Sequence, residues 1–146
     1  MKTLKTILFY IISFTWGGIM SMIGLIVILG LMILGHKPKR FHNRIYIEVG
    51  ERWGGLELGC FFITSKNPSL HTKQHESGHT IQNAILGIFF PVLIGIPSAV
   101  RYWYREIKYY RKGKYPETEY DSIWFEGWAS RLGEKYFKGE NNASGN

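Results

Sequence analysis

Cysteine is almost missing from this chain of 146 residues. Its single Cys60 excludes an internal disulfide framework and any metal cluster built from cysteine alone. Acidic residues are missing entirely from positions 1–44, where six basic ones stand. There is no internal repeat and no phosphate-cradling glycine loop, so neither a repeat array nor a nucleotide loop is encoded. Disorder is excluded from the other direction, because hydrophobic residues make up 45% and aromatics 16%. The length allows one domain of ordinary size and not two.

The formal net charge of +7 is unevenly placed. Residues 45–98 carry three basic and four acidic groups, residues 99–115 six basic and one acidic, and residues 116–146 three basic and six acidic. Both basic blocks adjoin apolar runs. That placement suggests a membrane surface, with membrane lipid as a partner and no nucleic acid.

The first apolar run, Ile7 to Gly35, is 29 residues without a charge. As one helix it would reach about 43 Å, against a hydrocarbon core of about 30 Å. It reads as a transmembrane helix within an anchor of residues 1–36. A cleaved signal peptide is the competing reading, but its apolar core is about 7–15 residues and no small-x-small site precedes His36. Lys37, Lys39, Arg40 and Arg44 outnumber Lys2 and Lys5 across the run. The positive-inside rule therefore predicts a single-pass protein with residues 37–139 in the cytoplasm. The second run, Ala84 to Val100, has Pro91 and Pro97 inside it and reads as buried, or dipping into one leaflet, rather than crossing.

Between and beyond these runs the pattern is mixed, and the fold class predicted is α+β. Ile45–Val49 and Leu56–Ile63 read as two strands of a β-hairpin. Thr72 is a candidate cap for a helix from about Lys73 to Leu86. A third helix follows Pro97, with Arg101, Arg105, Lys108 and Lys112 on one face and Val100, Trp103, Ile107 and Tyr110 on the other. That is the pattern of a segment in a membrane interface, or of a surface helix with a solvated basic face. Gly113 and Pro116 end it. Asp121 is the candidate N-cap of a last helix, and residues 140–146 read as a disordered tail.

The chemistry is concentrated in Gln74-His75-Glu76-Ser77-Gly78-His79-Thr80-Ile81-Gln82. One helical turn separates His75 from His79, so both imidazoles can reach one tetrahedral zinc. Glu76 is rotated from them by about 100°. That offset removes it from the ligand set and leaves it able to act as general base on the attacking water. The competing reading is two solvent-facing histidines around a glutamate. A catalytic site needs a third ligand and an open position. Glu126 is the best candidate, since Ala129, Ser130 and Gly133 share its stripe and admit another helix, and Trp124, Phe125 and Trp128 argue for burial. Glu119 and Asp121 are the runners-up. The metzincin pattern would need glycine and histidine where Gln82 and Ile85 stand, and is excluded.

His75-Glu76-Ser77-Gly78-His79, Gln82, and the later Phe125-Glu126-Gly127-Trp128-Ala129 and Arg131-Leu132-Gly133 resemble the gluzincin metallopeptidases, in particular their very small, minigluzincin-like members. Ile96-Pro97-Ser98 and Gly54-Gly55-Leu56-Glu57-Leu58-Gly59 are similar to small bacterial membrane proteins with this zincin core. The resemblance covers roughly residues 45–137. It implies zinc on His75, His79 and Glu126, with Glu76 as catalytic base, and an edge strand, here Leu56–Ile63, that binds a peptide or protein substrate. Many gluzincins have an aspartate four residues after the third ligand, which orients a histidine; this chain has Ser130 there, and a hydroxyl can do part of that task. His71 and Tyr120 are the candidates for stabilising the oxyanion.

The expectation is therefore a membrane-anchored zinc metallopeptidase, with a transmembrane anchor over 1–36, a zincin-like domain over 37–139 and a tail over 140–146. The alternatives are a non-catalytic metal-binding membrane protein that uses the same core as a structural module, and a metal-free basic scaffold at the membrane. Lys66, Lys73, Gln74, Gln82 and Asn83 make the motif helix too polar for an intramembrane site.

Overall fold

The computed structural model describes residues 2–139, so the tail expected over 140–146 lies outside the described residues. Its architecture is α+β: five helices and one four-stranded sheet.

The N-terminal run does not form one crossing helix. It folds as α1, Lys2–Thr15, and α2, Gly18–Ile33, bent by 99° at the break. No single described helix is long and apolar enough to cross a membrane, and the positive-inside argument loses the continuous helix it needs. The cause lies in Trp16-Gly17-Gly18. Two adjacent glycines weaken the helix, and the Trp16 indole donates to the Ile85 carbonyl at 3.1 Å, pulling the corner onto a later helix. Nor does α2 stand apart from the rest of the chain. Ser21, Gly24 and Ile28 are buried, and Ile28 shares a core with Ile47, Leu58 and Phe61.

The sheet is β1, Pro38–Phe41; β2, Arg44–Glu48; β3, Gly55–Leu58; and β4, Phe61–Thr64, in the order β1-β2-β4-β3. The predicted pairing is wrong here. Leu56–Ile63 is not one strand but a hairpin turning at Gly59-Cys60, where Gly59 has φ +76°, the positive value that the first position of a tight hairpin loop demands. β2 runs parallel to its second half, with Ile45 opposite Phe61 and Ile47 opposite Ile63. Within this hairpin β4 is therefore interior and β3 lies on an edge, with β1 on the opposite one.

Helix α3, Leu70–Leu86, starts three residues before the predicted start. Ser69, after Pro68, accepts from the Thr72 amide at 3.0 Å and takes the capping role expected of Thr72. Near Pro91 the chain bends by 120° through a 3-10 turn, Gly87–Phe89, and a π turn, Pro91–Gly95, into α4, Ile96–Lys112. The run 84–100 is thus a corner, with Phe90 and Ile94 buried and Val92 and Leu93 exposed. Gly113 (φ +70°) ends α4 as expected. The two faces of α4 are as read, but their roles are specific. Arg101 donates to the carbonyls of Glu119 and Tyr120, and Arg105 to that of Thr118, so the basic face holds the following loop. Val100, Trp103, Ile107 and Tyr110 are each at least 53% exposed.

Helix α5, Trp124–Tyr136, follows a 3-10 turn, Tyr120–Ser122. Ile123 occupies the cap position in place of the predicted Asp121, whose carboxylate is drawn to Ser130 instead. Helices α3 and α5 lie backbone against backbone. A Cβ on Gly78 would stand 1.9 Å from the Ala129 carbonyl oxygen, and one on Gly133 2.0 Å from that of Gln74. Alanine at an open helical site gains up to about 1 kcal/mol over glycine. Here overlap with a main-chain atom must dominate, so Gly78→Ala should lose about 1–3 kcal/mol. For a chain of this size that lowers the melting temperature by roughly 2–4 °C per kcal/mol. An unchanged or raised melting temperature would contradict the close packing.

Candidate metal centre

Three elements meet at the centre. α3 carries His75, Glu76 and His79, α5 carries Glu126, and the start of α4 carries Ser98. The His75 Nε2 lies 3.0 Å and the His79 Nε2 3.1 Å from Glu126 Oε2, and the two imidazole nitrogens are 3.1 Å apart. All three residues are buried, Glu126 completely. Burial of Glu126 follows the small stripe of α5 into α3. Phe125 is also buried, whereas Trp124 is 62% exposed and gives no shelter.

The remaining atoms of these side chains are engaged, and their partners settle the protons. Ser130 Oγ donates to Asp121 Oδ2 at 2.5 Å, so it receives the His75 Nδ1 proton at 2.8 Å. Gln82 donates its amide to the Phe125 carbonyl at 2.8 Å, which leaves Gln82 Oε1 to accept from His79 Nδ1 at 2.7 Å. Ser98 Oγ donates to Glu126 Oε1 at 2.5 Å. With each Nδ1 protonated, both Nε2 lone pairs and one carboxylate oxygen converge on the same point. A proton on one imidazole answers part of this mutual repulsion; a divalent cation answers all of it. His75, His79 and Glu126 can therefore hold a metal ion.

Burial works against the charged form of Glu126. An Nε2 that takes up a second ring proton donates it to Glu126, and such bonds from His75 and His79 outweigh burial and hold this carboxyl well below the usual range. Burial also opposes charge on His75, yet its bond to Glu126 and the nearby Glu76 leave it above its ordinary value. Glu76 is different. Burial pushes it up, and His75 and His79 only partly pull it back. It is not one of the three converging ligands. Its carboxylate fits under β3 because Gly55 has no side chain there; a Cβ would sit 2.5 Å from Glu76 Oε1.

Two cavities flank the centre and share Trp53, Gly55, His75, Glu76, Tyr102 and Tyr120. The larger, about 560 Å³, is walled by Met20, Leu56, Phe90, Ile94, Ala99 and Trp103. The smaller, about 310 Å³, is walled by His71, Thr72, Arg105, Glu106 and Asp121. Glu57 of β3 also lines the larger one. Burial pushes its carboxyl well above the usual range, the Gly59 amide pulls it down, and Glu76 adds to the rise.

No family model, curated protein or solved structure matches the chain.

Of the other residues read from sequence, Glu119 is exposed and its backbone carbonyl accepts from Arg101 and from Ser122. Asp121 does not face open water as its capping role required. It is half-buried, 3.4 Å from His71 Nε2, and in a second group with His71 and His75 that could also hold an ion. Tyr120 lines both cavities, and burial with the charge of Glu126 keeps its phenol protonated. Ser130 sits against His75, the histidine-orienting task its position implied, whereas Gln82, Ser98 and the Asp121 carboxylate behind Ser130 escaped the sequence reading as working parts. The only signal was that Gln82 and Ser98 sit in the motifs that carry the resemblance. Ser130→Ala leaves the buried His75 N–H without an acceptor and should weaken metal binding about 10–100-fold, measured by chelator competition. Unchanged affinity would remove Ser130 from this role.

Proposed function

We propose that the protein is a zinc-dependent peptidase that works at a membrane surface, with zinc on His75, His79 and Glu126 and Glu76 as general base. The observation that carries this is the triangle of acceptors with 3.0 and 3.1 Å edges, beside a carboxylate that ligates nothing and faces a cavity. Tetrahedral zinc with bonds of about 2.0–2.1 Å wants ligand separations of about 3.3 Å, a small expansion of that triangle. Two histidines and one carboxylate, with a cavity over the fourth position, are the donor set of a catalytic rather than a closed site.

The metal supplies a Lewis acid that acidifies water and polarises a carbonyl. Around it the chain's groups divide the work. Ser130 and Gln82 hold the imidazoles in the tautomer that presents Nε2. Ser98 fixes the Glu126 carboxylate. Glu76, whose carboxyl burial pushes above its ordinary value, takes the proton of the attacking water and passes it to the departing amine. Tyr120 has a proton to donate toward the carbonyl oxygen. β3, as a free edge beside Glu76, offers backbone groups to an extended peptide. The test is zinc content of purified full-length protein together with hydrolysis of a peptide pool, abolished by a chelator and restored by zinc. Less than one tightly held zinc per chain would end this reading. Zinc without hydrolysis would favour a binding module.

A further inference from the structure

Fourteen large apolar side chains between Leu4 and Leu34 are exposed, and ten more between Ile85 and Ile107. They are not scattered. Ile19, Met22, Ile23 and Ile26 follow one face of α2, and Val92, Leu93, Ile96 and Val100 follow the corner into α4. The two stretches touch where the Trp16 indole bonds the Ile85 carbonyl and its ring meets Phe89 edge-on, centroids 6.1 Å apart. Such an expanse exceeds what a folded chain leaves in water. Its surroundings say what covers it. Residues 7–35 and 84–100 hold no charge, while exposed Lys5, Lys37, Lys39 and Arg40 stand just beyond the ends of the first, and exposed Arg111 and Lys112 close the helix that continues the second. An apolar field ending in cations matches a leaflet with anionic headgroups.

The catalytic cleft opens into that field. Ile96 and Trp103 are 60% and 62% exposed, yet both also wall the larger cavity, and Met20 of α2 and Pro91 of the corner join them. On the far side of His75 and Glu76 the smaller cavity is lined by His71, Arg105, Glu106 and Asp121. The larger cavity is thus apolar and continuous with the exposed field, whereas the smaller brings charged groups to the centre among the rings of Trp53, Tyr102 and Tyr115.

We infer that the cleft takes a peptide where it leaves a lipid leaflet, with the apolar flank of the scissile bond in the larger cavity and the polar flank in the smaller. This rests on the peptidase reading and names its substrate class. The leaflet delivers the apolar flank sideways, past Ile96 and Trp103, so the substrate need not be drawn into water to reach Glu76.

The experiment uses the full chain, loaded with zinc, on vesicles of phosphatidylcholine and phosphatidylglycerol. One peptide pool joins a Leu/Ala segment of about 20 residues to a randomised polar flank, and a second pool carries the flank alone. Cleavage is read by mass spectrometry. Cutting at the junction should be at least about tenfold faster than cutting of the soluble pool. The double variant Val92→Glu/Val100→Glu changes exposed side chains that line neither cavity. It should keep its zinc and its rate on the soluble pool, fail to float with the vesicles, and lose about tenfold or more on the embedded pool. Equal rates on the two pools, or an unaffected double variant, overturn the inference and leave the peptidase standing. A protein that dimerises and does not float overturns it too, since a second copy then covers the field. Cleavage of neither pool by zinc-loaded protein brings down the peptidase reading and this inference with it.

Discussion

Glu76→Gln is expected to bind zinc at the wild-type stoichiometry and to hydrolyse peptide about 10²–10⁴-fold more slowly, or worse. The amide keeps the shape of the carboxylate under Gly55 but cannot accept a proton, so only the acid–base step is lost. Both outcomes rest on geometry: Glu76 lines the cavity yet stays outside the triangle of His75, His79 and Glu126. Metal content by mass spectrometry and initial rates on the same preparation decide it. Rates at the wild-type level in Glu76→Gln would end the catalytic reading, whereas loss of zinc would move Glu76 into the ligand set.

The complementary variants attack the triangle itself. Glu126→Ala and His79→Ala each remove one of three protein ligands, which should cost more than the 10–100-fold typical of an outer partner and leave the protein with little zinc at equimolar metal. Glu126→Ala carries an additional penalty. Its carboxylate is fully buried and accepts from Ser98, so its removal strands that hydroxyl and leaves two imidazoles with no anion between them. Full zinc retention in Glu126→Ala would show that another carboxylate, Asp121 being nearest in kind, completes the site. Activity follows occupancy in these variants, in contrast to Glu76→Gln.

The cluster of His75, His79 and Glu126 was legible in the sequence because its geometry is local. A four-residue separation fixes His75 over His79 whatever else the chain does, and the small stripe of α5 points Glu126 at a neighbouring helix. What could not be read were partners that exist only after folding. Nothing in Gln82 or Ser98 states that one will accept from His79 and the other will hold Glu126. Asp121 was misread as a cap for a related reason: local preference favours capping, but Ser130, nine residues on, competes for the same carboxylate and wins. The bent leader was missed because counting uncharged residues measures length and not direction, although Gly17-Gly18 marked the corner. The hairpin within 56–63 was missed because a mostly apolar run of eight residues reads the same for one strand as for two of four, with Gly59 as the only break.

Met20 has a consequence of another kind. A leading apolar segment is often treated as an interchangeable tether, to be trimmed for crystallisation or replaced by another address. In this protein the second leader helix contributes a wall of the chamber over Glu76, and the corner before it pins the far end of the motif helix through Trp16 and Ile85. Cutting residues 1–36 would uncover Leu58 and Phe61 on the sheet and leave the chamber open on one side. The leading helices and the candidate metal centre are one folded unit, so a foreign segment in their place would not rebuild the chamber.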